Sequence, residues 1–310
     1  MASEGSTKAV VTAMCANIGI AVTKFVAFLL TASSSMLAEA VHSLADTGNQ
    51  ALLLVGGRRA KKSATPEHPF GYGRERYVFA FIVSIVLFSL GGLFALYEGY
   101  HKLSEPGELV SPLIAVGVLL VAIVFESYAL RTAVRESNRI RGDASWIAFV
   151  RHAKAPELPV ILLEDVGALL GLVFALVGVG LSALTGDPLW DSLGTLAIGV
   201  LLVIIAIVLA IETKSLLLGE AASRSHIGLI ESALRAEPLV DDIIHLRTMH
   251  LGPDELLVAA KIAVTHDDTA REVARGINAA EQRIRAAVPI ARVIYLEPDL
   301  VVRSPSDHGA

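Results

Sequence analysis

Long apolar runs, broken by short polar segments, fill the first two thirds of the chain. Six of them reach about the 20 mostly apolar residues that a helix needs to cross a bilayer. They lie at about residues 8–31, 36–57, 77–100, 110–132, 157–185 and 189–217. Beyond about residue 218 the runs shorten. Helical spacing recurs in 223–236 and in 269–287, where Val273, Ala274, Ile277, Ala280 and Ile284 share a face. Leu256, Val258, Ala260, Ile262 and Val264 alternate, as in a strand that turns one side to a core. A strand over about 241–251 turns into it through Gly252-Pro253, and a last strand runs over about 290–298. The pattern predicts six transmembrane helices in residues 1–218. A small α+β domain in 219–310, with its helices on one side of a sheet, completes the chain.

Composition agrees with a polytopic membrane protein. Of 310 residues, 54% are hydrophobic and 18% charged, against about 25% charged in an ordinary soluble protein, and mean hydropathy is +0.60. Disorder, a nucleic-acid-binding tail and a standard soluble enzyme are excluded, and no nucleic-acid partner is expected. One cysteine, Cys15, leaves no disulfide framework and no multi-cysteine metal site. The start MASEGSTK, which carries an acid and leads into a full-length span, reads as neither signal nor transit peptide.

The charges are unevenly placed. The loop after the second span carries Arg58, Arg59, Lys61, Lys62, Arg74 and Arg76, and the loop after the fourth carries Arg131, Arg135, Arg139, Arg141, Arg151 and Lys154. The opposite loops hold one lysine between them. Basic loops face the cytoplasm, so both termini are expected inside, in an inner (plasma) membrane of bacterial type. Residues 220–310 hold 14 acidic and 10 basic side chains and no spanning run.

The second span carries the chemistry. Glu39, His42, Asp46 and Asn49, spaced 3, 4 and 3, form one helical stripe. Ionisable groups in a membrane cost several kcal/mol unless they face protein, water or a cation. His42 and Asp46, one turn apart, offer an imidazole nitrogen and a carboxylate oxygen to one divalent metal. A polar helix–helix contact without transport is the alternative. The fifth span adds Glu164 and Asp165. Neighbours on a helix point about 100° apart, so Asp165 is the preferred ligand. Glu164 is a fourth ligand, a proton carrier or a partner for a basic group. Lys24, deep in the first span, falls at the depth of residues near 41 and so beside Glu39. A Lys24–Glu39 pair would leave His42 and Asp46 to the metal, the alternative being a lysine that reaches the interface. Asn17 and Glu126 suit helix–helix bonding or pairing. Asp191 suits a helix cap or an outer-mouth charge rather than a ligand, and the turn-rich loop from His68 to Tyr77 suits an ordered segment at the inner mouth. His226, His245, His250 and His266 read as surface histidines. No phosphate-binding loop, HExxH or GxSxG is present, which disfavours an ATP-driven pump and a zinc protease.

The run Ser33–Gln50 with its HSLAD core, the loop HPFGYGRERY, LLEDVGALLG and DPLWDSLGTLAIG resemble the cation diffusion facilitator family. HSLADTGNQ, LLED and MHLGPDE resemble its mitochondrial-type zinc-transporter branch. The likeness covers about residues 8 to 303. It implies six spans, a ferredoxin-like cytoplasmic domain, a homodimer, and export of a divalent metal in exchange for protons. It also implies two ligands one turn apart on each of the second and fifth spans. His42, Asp46 and Asp165 match three of the four positions. The fourth is Ile161, which cannot ligate, and Glu164 is its natural replacement. A loop site found in relatives would have only His68 here, with Tyr72 at the second position. The expected activity is Zn²⁺/H⁺ antiport. No cofactor is expected beyond the transported metal, and Mn²⁺, Fe²⁺ or Co²⁺ are alternative cargoes. A metal sensor or scaffold without transport, and a channel, are the competing readings.

Overall fold

The computed structural model describes residues 2–105, 111–264 and 269–300, with side chains from Asn17 onward. His266 lies outside the described residues. The described residues fall into two compact units, one from Met1–Arg59 with Glu75–Lys214, the other from Ala60–Arg74 with Ser215–Ala310.

The first unit is a bundle of long helices. Helix α1 (Ala2–Thr31) turns through Ala32, at φ 54°, into α2 (Ser34–Arg59). Helix α3 (Glu75–Val86) continues through a π-helical stretch, Leu87–Leu93, into α4 (Phe94–Ser104). Next come α5 (Pro112–Arg141), the short α6 (Trp146–His152), α7 (Glu157–Thr185) and α8 (Leu189–Leu218). Among the described residues, four helices are long and apolar enough to cross a membrane: Glu75–Ser104, Pro112–Arg141, Glu157–Thr185 and Leu189–Leu218. Asn17–Thr31 is a shorter apolar helix. Helix α2 has the length, but its polar stripe holds its hydropathy down. This is the chemical signature of a helix shielded by others, and α2 packs against α1, α3, α4, the π stretch and α7.

The apolar pattern predicts one ordinary helix over 77–100, and the π stretch is a departure from it. It coincides with Gly91-Gly92, and the Phe94 N–H reaches back to the Ser89 carbonyl, five residues away. Small residues also set the α7–α8 crossing. A Cβ at Gly178 would stand 2.8 Å from the Trp190 carbonyl oxygen and 3.2 Å from the Gly194 Cα, so the two backbones meet where neither has a side chain. Gly186, at φ 74°, ends α7, its N–H bonded to the Ser182 carbonyl. The shared core includes Met36, Leu87, Leu119, Leu172, Ile198 and Leu202.

The second unit holds α9 (Arg224–Arg235), β1 (Asp242–Gly252), β2 (Glu255–Ala263), α10 (Ala270–Ala287) and β3 (Ala291–Asp299). Thr269 and Glu272 form a capping box at the start of α10, and Ser223 caps α9. The sheet order is β1-β2-β3, with β1 antiparallel and β3 parallel to β2. Thr248 faces Val258, which in turn faces Ile294. Leu256, Val258, Ala260 and Ile262 are buried with Ile230, Leu234, Ile284 and Val288; Val264 is half-buried against them.

The loop Ala60–Arg74 groups with this unit. It is ordered: His68 stacks on Tyr72 at 4.6 Å, and a Cβ at Gly73 would stand 2.8 Å from the Leu251 carbonyl. The histidine expectation is corrected in part. His245 is exposed, but His250 is buried on β1 with Nδ1 3.2 Å from the Gly252 carbonyl, because its strand position turns it away from solvent.

Candidate metal centre

All four members of the α2 stripe are buried: Glu39, His42, Asp46 and Asn49. The spacing puts them on one face of the helix, and the cost of exposing ionisable groups to lipid turns that face inward. His42 Nε2 lies 3.5 Å from Asp46 Oδ2, and neither imidazole nitrogen makes a hydrogen bond. Asp46 Oδ1 also has no hydrogen-bond partner. Two adjacent donors of the type that binds divalent metals therefore hold their lone pairs unused in the bundle.

Lys24 supplies the stripe with a fixed cation. Its Nζ, fully buried, donates to Glu39 Oε2 at 3.1 Å and to Ser43 Oγ at 2.7 Å. Glu126 of α5 stands 4.0 Å away. Glu39 itself presses on α7, since a Cβ at Gly171 would stand 2.5 Å from its Oε1. Glu39 is thus paired with the lysine, and Glu126 serves as a second counter-charge. Asn17 is half-buried on α1.

On α7, the structure separates Glu164 from Asp165. Glu164 is buried and accepts a 2.6 Å hydrogen bond from Asn49 Nδ2, whereas Asp165 is half-buried. Among the described residues, no three His, Cys, Asp or Glu side chains converge closely enough to hold an ion as they stand. The arrangement is one ready pair, His42–Asp46, with α7 carboxylates nearby and one of them engaged by Asn49.

Two features escape the sequence. The Asn49–Glu164 bond joins α2 to α7, and only knowledge of which helices touch reveals it. Asp191, at the start of α8, caps a helix other than its own. Its carboxylate accepts from Ser33 Oγ at 2.8 Å, from the Ser34 N–H at 2.8 Å and from Ser34 Oγ at 2.9 Å. The N-terminus of α2 thus receives a charge-assisted cap from α8. Three consecutive serines preceding an apolar run are the one local hint.

A bundle of long apolar helices around buried ionisable groups defines an integral membrane protein whose interior is built for charge. The chain matches the profile of the cation efflux transmembrane domain over residues 10–218. It is 33% identical over 261 residues to the mitochondrial proton-coupled zinc antiporter SLC30A9 of Mus musculus, covering 84% of this chain and 46% of that protein. The Homo sapiens protein of the same name is 34% identical over 262 residues, covering 84% and 46%. Metal tolerance protein C4 of Arabidopsis thaliana is 29% identical over 268 residues, covering 83% and 57%. The chain therefore belongs to the cation diffusion facilitator family, in its mitochondrial-type branch. It spans about half the length of these curated relatives.

Proposed function

We propose that the protein exports a divalent metal, Zn²⁺ foremost, in exchange for protons. The observation that carries this reading is the buried His42–Asp46 pair, with both imidazole nitrogens and one carboxylate oxygen making no hydrogen bond. In this reading His42 and Asp46 bind the ion first. Asp165 joins them, and Glu164 exchanges its Asn49 partner for the metal or for a proton. Ligands must lose their protons to bind metal, so protons arriving from the outer side expel the cargo, and that competition is the exchange. Rocking of helices around a fixed site would alternate access.

The same reading has six spans, with α1 and α2 added to the four strongly apolar helices, and both termini on the cytoplasmic side of an inner membrane. Residues 1–218 form the membrane domain and 219–310 a ferredoxin-like cytoplasmic domain, in a homodimer. The proton-coupled zinc antiporters among its relatives support the cargo and the coupling. The carboxylate-rich donor set favours a second cargo class, Mn²⁺, Fe²⁺ or Co²⁺, over a strict zinc preference.

One Zn²⁺ exchanged for one proton moves a net positive charge outward, at a cost of about 2.3 kcal/mol per 100 mV against an inside-negative potential. Flux into proteoliposomes tests the reading. A pH gradient is expected to drive Zn²⁺ movement, and Asp46→Ala to abolish it. Gradient-independent flux, or unchanged flux in Asp46→Ala, overturns antiport through this site. A panel of metals on wild type and Glu164→Ala identifies the cargo and the role of Glu164.

A further inference from the structure

At the end of the bundle that carries the second basic loop, α5, α6, α7 and α8 enclose an open groove of about 700 Å³. Its walls are almost wholly apolar, with Val134, Trp146, Ile147, Val166 and Ile211 among them. Helix α6 is anchored on one side only: Phe149 is buried with Ala133 and Leu162, while Ile147 is 73% exposed. The Arg141 guanidinium lies 4.4 Å over the Trp146 ring. Arg151 lines the groove and stands 3.6 Å from Glu212, its side chain 66% exposed against 19% for the glutamate. Residues 131–154 hold six basic and two acidic side chains.

We propose that this groove binds an anionic phospholipid, an acyl chain along its apolar walls and the phosphate at Arg151. The basic loop places the groove at the level of the headgroups on the inner side, where exposed Trp and Arg side chains sit best. Basic pockets between membrane helices suit anionic headgroups. The same charge disfavours a second copy as occupant, because a two-fold contact would set one basic segment against its duplicate. Arg151 remains free to turn toward solvent-side phosphate because its glutamate partner holds it loosely, at 3.6 Å.

The test is native mass spectrometry of the full chain released from detergent. It compares phosphatidylglycerol with phosphatidylcholine of identical acyl chains, and glycerol 3-phosphate as the headgroup without a tail. Wild type is expected to retain phosphatidylglycerol preferentially. Arg151→Ala is expected to reduce the preference about fivefold, the worth of one arginine at an anionic surface, and Arg151→Lys to restore part of it. Ile211→Trp, a change at an exposed position that fills the groove, should lower retention of both lipids. Equal retention of the two lipids overturns the proposal. So does displacement by glycerol 3-phosphate alone, or a dimer lost in Ile211→Trp with lipid binding intact. Recovery of the preference in Arg151→Ala/Glu212→Gln also overturns it, since the arginine would then serve only its ion pair. Metal flux is not a readout, so the result is independent of the transport reading.

Discussion

Replacing Lys24 by methionine keeps the length of the side chain and removes its charge. Its Nζ is 3.1 Å from Glu39 and 4.0 Å from Glu126, and the lysine has no exposed surface. At an effective dielectric constant near 20, each attraction is on the order of 4–5 kcal/mol before desolvation is subtracted. Removing one partner of a buried pair costs about 3–5 kcal/mol, because the other charge stays buried and unpaired. Lys24→Met leaves two carboxylates in that state. Glu39→Gln leaves the lysine with Ser43 and Glu126. The methionine variant should therefore be the worse of the two, its melting temperature in detergent lower by on the order of 10 °C. Lys24→Met/Glu39→Gln should recover a substantial part of the loss, since a vanished pair costs far less than a broken one. Melting curves of the four proteins test this. If the single effects add within about 0.5 kcal/mol, the two residues are not coupled and the pairing argument fails.

Asp191→Ala removes the cap of α2 and should cost about 2 kcal/mol, the upper range for a lost cap, measured as a lower melting temperature that Asp191→Asn partly restores. Glu164→Gln keeps the shape and the Asn49 contact while removing the charge; it should melt within a few degrees of wild type yet lose zinc flux at least tenfold, and unchanged flux would exclude Glu164 from the cargo path. In the sheet, Lys261 holds the Asp299 carboxyl below its ordinary 3.8, chiefly by a hydrogen bond, and Asp299 in turn raises the lysine above 10.5. A lowered carboxyl stabilises above 3.8 and is lost as pH falls below it; a raised lysine stabilises below 10.5 and is lost as pH rises above it. Amide exchange at the end of β3 should therefore show constant protection between about pH 5 and 9 after correction for intrinsic rates, and weaken on either side.

Periodicity carried most of the architecture. The stripe Glu39, His42, Asp46 and Asn49 shares one face because of the 3.6-residue repeat and turns inward because lipid exposure of ionisable groups is costly, and the β2 alternation from Leu256 to Ile262 follows from the pleat. Depth matching across the α1–α2 turn was enough to bring Lys24 to Glu39. What stayed hidden depends on contacts between distant segments. Glu164 and Asp165 are chemically equivalent until Asn49, 115 residues before Glu164, engages one of them. The target of Asp191 lies 157 residues upstream. The π stretch is as apolar as an α-helix of the same residues, and only Gly91-Gly92 marks it.

The Asp191 cap has a mechanical consequence. It ties the N-terminal end of α2 to α8 by several short hydrogen bonds, so a tilt of α2 that preserves them swings about Ser34. At 1.5 Å per residue, His42 lies about 12 Å along that lever and Arg59 about 37 Å. A tilt of about 5° then moves the imidazole by roughly 1 Å and the far end by roughly 3 Å. A hinge at one end lets a small displacement at the His42–Asp46 pair accompany a threefold larger one at the opposite end of the same helix.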